Sequence, residues 1–509
     1  MGSTAGGGRA RGTSRKKTET AAPALAFTPR AKRSVLPGAE QMRRHTREER
    51  MLIGRAARQR TPREAHGDWT PAAGRPDPVA LLEDQATTRV AELVPIRHGR
   101  MAASPFAFYR GGALIMAADL VSTPDSGIVA QLCGDAHLSN FGLFASPERH
   151  MLFDINDFDE TLPGPWEWDV KRLAASLEVA GRELGAAVRD RREIVLAAVR
   201  EYRRTMRLAA EMGVLEAWYS HLTAGEVMAM VDQEVAAGRL TRKEGVRAHK
   251  VVEKARTRVH RRSFERLVHV VDGQLRIAPD PPLIVPFDDL LGPEARREET
   301  EDWAQLLIEA YRATLSDARH PLEEFRYVDS ARKVVGVGSV GTRCYIDLFI
   351  GRDMGNPLFL QTKEAPPSVL ERFLGASEFG NCGRRVVAGQ RLMQAASDIF
   401  LGWLRYKDQD GETRDYYIRQ LHDWKGSVEV ESLRVGGATL YARLCGSTLA
   451  RAHARACDRV AVASYLGKGD AFDVAVADFA RAYADQNERD YETFMKAVAS
   501  GRLEAQTGL

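Results

Sequence analysis

The chain has 509 residues, 44% of them apolar and 28% charged, a balance that supports a sizeable core and excludes collagen, coiled-coil and wholly disordered architectures. The formal charge of +4 is uneven: residues 1–60 hold 15 Lys/Arg against 4 Glu, a net of +11, which leaves −7 for the rest. No apolar run reaches the roughly 18 residues of a membrane span, no signal-peptide core is visible, and the five cysteines contain no C-x-x-C pair. Those features point to a cytoplasmic protein without a disulfide or zinc scaffold.

Residues 1–65 read as a basic, largely disordered tail. It could touch nucleic acid or an acidic surface, although a solvated extension is the plainer reading. Apolar spacing then predicts helices over 76–94 and 105–121. GIVAQLCGDAHLSNFGLF (127–144) reads as strand, turn and second strand, and MLFDINDFDE (151–160) as a strand ending in acids. Long helices are expected over 166–212 and 224–266, a short hairpin and a Pro-rich loop over 267–286, and an amphipathic helix over 303–315. From about residue 326 the pattern alternates around a glycine turn, the signature of a hairpin. Further strands are expected at 357–365 and 416–421. Helices are expected at 383–396, around 435–456 and over 470–498.

Two constellations carry chemistry. In GDAHLSNFG (134–142), Asp135 and Asn140 flank His137, and Asp157 follows at the end of the next strand. One turn displaying a carboxylate and a carboxamide, with a second carboxylate nearby, suits Mg²⁺, a hard cation that takes few protein oxygens and completes its shell with water and phosphate. Asp135 would accept the proton of an attacking hydroxyl, and Asn140 and Asp157 would hold the metal. His137 is either a second catalytic group or a buried loop-orienting histidine. The second constellation is Gly336, Gly338 and Gly341, spelling G-x-G-x-x-G, with Lys363 on the third strand. A strand follows these glycines, so the dinucleotide-binding context is missing. A glycine flap whose amides approach phosphates fits instead.

These segments resemble the catalytic and metal-binding stretches of aminoglycoside and choline phosphotransferases, members of the protein-kinase-like superfamily. The resemblance implies an α+β, two-lobed fold, ATP and Mg²⁺ as cofactors, Asp135 as catalytic aspartate, Asn140 and Asp157 as metal ligands, and Asp169 as the buried brace of the catalytic loop. It casts GVGSVG and Lys363 as the glycine loop and phosphate-anchoring lysine. Here they follow the catalytic loop, and LARAHARA (449–456), similar to the helix that normally leads into that loop, lies near the C-terminus. The implied lobe order is therefore circularly permuted: tail 1–65, helical large-lobe region 66–325, small nucleotide-binding lobe 326–430, and helices 431–509 completing the large lobe. RHGRMAASPFAFYRG, GQRLMQAASDIFLGW and RQLHDWKGS extend a wider resemblance to an uncharacterised bacterial family, domain of unknown function 2252.

Two side readings complete the expectation. The helix GRRVVAGQRLMQ offers no Glu to pair with Lys363, and Glu371 is expected in a loop. Arg97, Arg100 and Arg110 could hold an anionic substrate, but solvation or salt bridging is the favoured reading. The leading function is phosphotransfer from ATP to an unknown hydroxyl on a small molecule or protein. Nucleotidyl transfer onto protein, a nucleotide-holding pseudokinase and, last, a metal-dependent phosphohydrolase are the alternatives.

Overall fold

The structure is a computed structural model that describes residues 1–2 and 44–509, apart from 257–259, 292–296, 316–319, 409, 422–423 and 427. Most of the expected tail, residues 3–43, lies outside the described residues. The remainder corrects the reading of 1–65. Arg47–Arg60 is a helix opened by a capping box between Thr46 and Glu49. It docks on Arg459–Leu466 so closely that a Cβ on Gly54 would lie 2.1 Å from the Ala461 carbonyl oxygen. Arg50 pairs with Asp458 at 2.8 Å beside it. Its fully buried positions are Gly54 and Ala57, so close backbone approach marks this helix where large apolar side chains do not.

The helical body is built on Glu167–Glu183, which is buried along nearly its whole length. Val188–Glu211, Val435–Ala456 and Ala471–Ala499 pack around it. Gly446 lets two of these helices touch: a Cβ there would sit 2.1 Å from the Ala198 carbonyl oxygen. Trp166 is fully buried and stacks on Tyr202 with centroids 5.7 Å apart. No helix among the described residues is long and apolar enough to cross a membrane.

The second assembly is a six-stranded antiparallel sheet. Its order is Gly402–Lys407, Thr413–Gln420, Pro357–Glu364, Cys344–Ile350, Arg326–Lys333 and Ile284–Pro286. Period-2 alternation sorts its faces. Tyr345, Phe349 and Leu360 join a cluster with Tyr311, while Ile346, Leu348 and Phe359 face Leu267 and Ile277. The hairpin around the glycines forms as expected, and the strands expected at 357–365 and 416–421 are observed as Pro357–Glu364 and Thr413–Gln420. Strands Leu162–Pro165 and Ile284–Pro286 were not expected, because each is short and carries proline, which ordinarily argues against a strand. Gly402–Lys407 was also missed. The molecule is thus a mixed α+β protein with small antiparallel sheets.

Candidate active site

The strand Val129–Leu132 ends in a turn that only glycine fits easily. Gly134 has φ of 85°, and a Cβ there would meet the Glu160 carbonyl oxygen at 2.2 Å. The buried Asp169 carboxylate accepts the next two backbone amides, Cys133 N at 2.8 Å and Gly134 N at 3.1 Å. His453, within the LARAHARA segment, places Nε2 3.2 Å from the same carboxylate and Nδ1 2.9 Å from the Tyr202 hydroxyl. Cys457, just beyond that helix, forms an antiparallel bridge with Ala130. Leu138 N donates to Ser176 Oγ at 3.0 Å. The loop is therefore pinned from two helices far apart in sequence.

Asp135 stands on this loop. Its Oδ1 accepts from Arg172 Nε at 2.9 Å and is ion-paired with Nη2 at 2.8 Å. Burial pushes the Asp135 carboxyl up, against the pull of Arg172. His137 Nε2 lies 3.7 Å from Asp135 Oδ2, and burial together with Arg172 and Arg110 holds its imidazole neutral, with its pKa well below the usual value. Asn140 Nδ2 donates to the Asp135 carbonyl at 2.8 Å, so its amide oxygen is the atom left to accept or ligate.

The hairpin Phe141–Ala145 with Met151–Ile155 pairs Phe141 opposite Ile155, and Asn156 N donates to the Asn140 carbonyl at 2.8 Å. That register returns Asp157 to the side of Asn140. Asp157 Oδ1 accepts Asp159 N at 3.1 Å. Burial and the neighbouring Asp159 charge raise the Asp157 pKa, which is the electrostatic setting a bound cation would relieve. Among the described residues no group of three or more His, Cys, Asp or Glu side chains is placed to hold a metal ion. Asn140 and Asp157 nevertheless fit a magnesium ion carried by phosphates, since they offer hard oxygens on one wall and leave the other positions to ligand and water.

Lys363 is buried and ion-paired with Asp159, which also accepts the Tyr417 hydroxyl at 2.7 Å and the Ser339 hydroxyl at 3.3 Å. Burial opposes the Lys363 charge, but Asp159 and Tyr417 raise its pKa; burial likewise opposes the Asp159 charge, yet Lys363 and Tyr417 lower that one. Lys363 thus has an acidic partner after all. It comes from the segment after Asp157 rather than from the helix after the lysine strand. Glu371 lies in the short helix Glu371–Leu374 and accepts Ser368 N and Ser377 N, both at 3.0 Å. In place of a glutamate, the helix Cys382–Met393 sends buried Arg385 to the carbonyls of Asp159 and Thr161, at 2.9 and 2.8 Å.

The glycine turn joins Arg326–Lys333 to Cys344–Ile350. Gly336 and Gly341 take φ of 66° and 92°. Arg100 Nη1 donates to the Gly336 carbonyl at 2.6 Å, and Val90 N to the Gly341 carbonyl at 2.8 Å. Asp135, His137, Asn140, Asp157, Gly336 and Gly338 line one cleft of about 400 Å³, joined there by Asp159, Glu160 and Ser339. Gly341, Lys363 and Asp169 do not line it, although Lys363 pairs with Asp159, which does. Arg97 and Arg110 also line the cleft, which corrects the solvated reading: Arg97 is fully buried, and neither makes a salt bridge among the described residues.

A family model described as an uncharacterized protein conserved in bacteria, DUF2252, matches residues 89–497. The chain belongs to that family. No curated protein matches it, and no solved structure does either. In this DUF2252 chain, sequence reading missed Arg172, Tyr417, Arg419 and Arg385 as site-building residues. Tyr417 and Arg419 had a signal: they alternate on one strand, facing Lys363 and Gln361 across the ladder. Arg419 Nη1 donates to the Asn156 carbonyl at 3.0 Å. Arg172 stands one turn after Asp169, a spacing that aims both at the loop.

Proposed function

We propose that the protein is an ATP- and magnesium-dependent phosphotransferase of protein-kinase-like architecture with permuted lobe order. The observation that carries this is the single cleft in which Asp135, Asn140 and Asp157 meet Gly336 and Gly338 from some 200 residues later. Its volume suits a small-molecule site. Permutation is supported by His453 and Cys457, which sit against the catalytic loop although they follow it by about 300 residues. Permutation needs the same groups in space, not in order.

In this reading the acceptor hydroxyl lies at Asp135 Oδ2, since Oδ1 is held by Arg172. The acceptor oxygen forms its bond to the γ-phosphorus as the bond from that phosphorus to the bridging oxygen of ADP breaks. The hydroxyl proton passes to Asp135. Neutral His137 limits the positive charge around that carboxylate. Asn140 and Asp157 would hold Mg²⁺, which when bound screens the phosphate charge. The backbone at Gly336 and Gly338 lies close to the phosphates without side-chain obstruction. Lys363 fixes Asp159 at the floor and reaches phosphate only by parting from it.

Calorimetry of ATP with and without Mg²⁺, on wild type and Asp157→Ala, tests the reading. Metal-dependent binding that weakens in the variant is expected. No nucleotide binding to either protein would overturn it. One observation favours a second reading, a pseudokinase that holds nucleotide without turnover: Lys363 is engaged by Asp159 and does not line the cleft. Tight ATP binding with no ADP release across hydroxyl acceptors would select it.

A further inference from the structure

The cleft is lined by two electrostatically different sets of groups. Its acids are mostly satisfied: Asp135 by Arg172, Asp159 by Lys363, and Glu160 by Val369 N at 2.7 Å. The same cleft holds Arg89, Arg97 and Arg110, and none of these has a hydrogen-bonded or ion-paired carboxylate partner among the described residues. Arg89 donates to the Val340 carbonyl. Arg97, 0% exposed, donates from Nη2 to Gln85 Oε1 at 2.7 Å and to the Gly111 carbonyl at 2.9 Å, leaving Nε and Nη1 buried without acceptors. Arg110 has a buried, unpartnered Nε, and its guanidinium has no hydrogen bond or ion pair within the described chain. It faces the cleft within electrostatic reach of Asp135 and His137.

Clustered guanidiniums with no direct carboxylate partner are costly in a folded protein unless a ligand supplies one. Burial accordingly pushes the Arg89 guanidinium down to about 10 and lowers that of Arg110. Arg97, being inaccessible, acts from behind; Arg110 is the group that can touch a ligand. Its planar fork matches the two oxygens of a phosphate or carboxylate.

We propose that Arg110, backed by Arg89 and Arg97, forms an oxyanion subsite that docks an anionic group of the acceptor, so that the substrate is a hydroxyl compound also bearing a phosphate or carboxylate. The word acceptor rests on the phosphotransferase reading; the oxyanion site does not. The subsite lies on the Asp135 side of the cleft, where the acceptor hydroxyl belongs.

The test uses inorganic phosphate as probe, titrated by calorimetry into the full chain saturated with Mg²⁺ and β,γ-methylene-ATP. Wild type should bind phosphate, and Arg110→Met should weaken it about tenfold or more with little change in analogue affinity. Without phosphate, Arg110→Met should unfold no earlier than wild type, because an unpaired buried charge has been removed. Absence of phosphate binding to wild type, or equal binding to Arg110→Met, overturns the subsite. Lower thermal stability of Arg110→Met without phosphate assigns Arg110 a structural role and also overturns it. Phosphate excluded by the analogue but accepted beside ADP identifies the anion as the nucleotide's terminal phosphate and overturns the acceptor assignment. Arg110-dependent phosphate binding in a protein that binds no nucleotide sustains the subsite and sinks phosphotransfer instead.

Discussion

The Lys363–Asp159 pair joins the sheet to the loop that follows Met151–Ile155, and its two members are unequally sheltered. The Lys363 side chain is 4% exposed and that of Asp159 is 24% exposed. Asp159→Asn leaves a buried ammonium without its counter-charge, which costs about 3–5 kcal/mol. Lys363→Met leaves a partly hydrated carboxylate that keeps the Tyr417 and Ser339 hydroxyls, which costs about 1–3 kcal/mol. The double variant removes both charges, so it should be more stable than Asp159→Asn alone, with a coupling of about 2 kcal/mol. At roughly 2.1 cal/mol/K per residue, 509 residues give an unfolding entropy near 1.1 kcal/mol/K. Asp159→Asn should therefore lower the midpoint by about 3–5 °C in a reversible thermal melt followed by circular dichroism. Equal losses in the two single variants, or an additive double variant, would refute the argument that Lys363 depends on Asp159 for its charge.

Acid should weaken the protein through His66. This ring is fully buried, with Nε2 2.7 Å from the Tyr465 hydroxyl, and burial together with Lys171 pushes its pKa down to about 2. The folded state then binds fewer protons than the unfolded state below pH 6.5, so stability falls as pH drops through that window. Between pH 6.5 and 5 the loss is about 2 kcal/mol, and His66→Phe should remove that share of the slope in urea titrations at the two pH values. Asp169→Ala should lower stability by about 3 kcal/mol by orphaning the Cys133 and Gly134 amides. It should also release amide hydrogens of residues 133–140 to faster exchange, and unchanged protection there would show that the loop is fixed by other contacts.

What could be read in the sequence divides along physical lines. Strands such as Cys344–Ile350 and Pro357–Glu364 were legible as short apolar runs buried on both faces, and long amphipathic helices such as Val188–Glu211 because their pattern reflects burial on one face. The helix Arg47–Arg60 was not legible, since it is held by a glycine approach and by arginines. The loop residues Asp135, His137, Asn140 and Asp157 stood out because turns rich in acids and amides between apolar strands are chemically conspicuous. Their supporting arginines did not. Arg172, Arg385 and Arg97 resemble solvated helix positions until the fold buries them, and charge alone says nothing about which side of a helix faces the core.

The arginines also explain how two halves of the chain hold one cleft. Arg172 and Arg385 approach residues 135 and 159–161 from a body helix and a sheet-side helix, and each reaches an acceptor on the turn between them. Arg419 does the same from the sheet, to Asn156. The segment from Asp135 to Thr161 is therefore gripped on both sides by guanidiniums whose acceptors are mostly main-chain carbonyls. Carbonyl acceptors cannot be neutralised by a change of pH, so this grip persists where carboxylate pairs would titrate. The free arginine on the cleft wall, Arg110, differs in this respect: its guanidinium has no carbonyl to hold it, and it is the one left to answer an incoming anion.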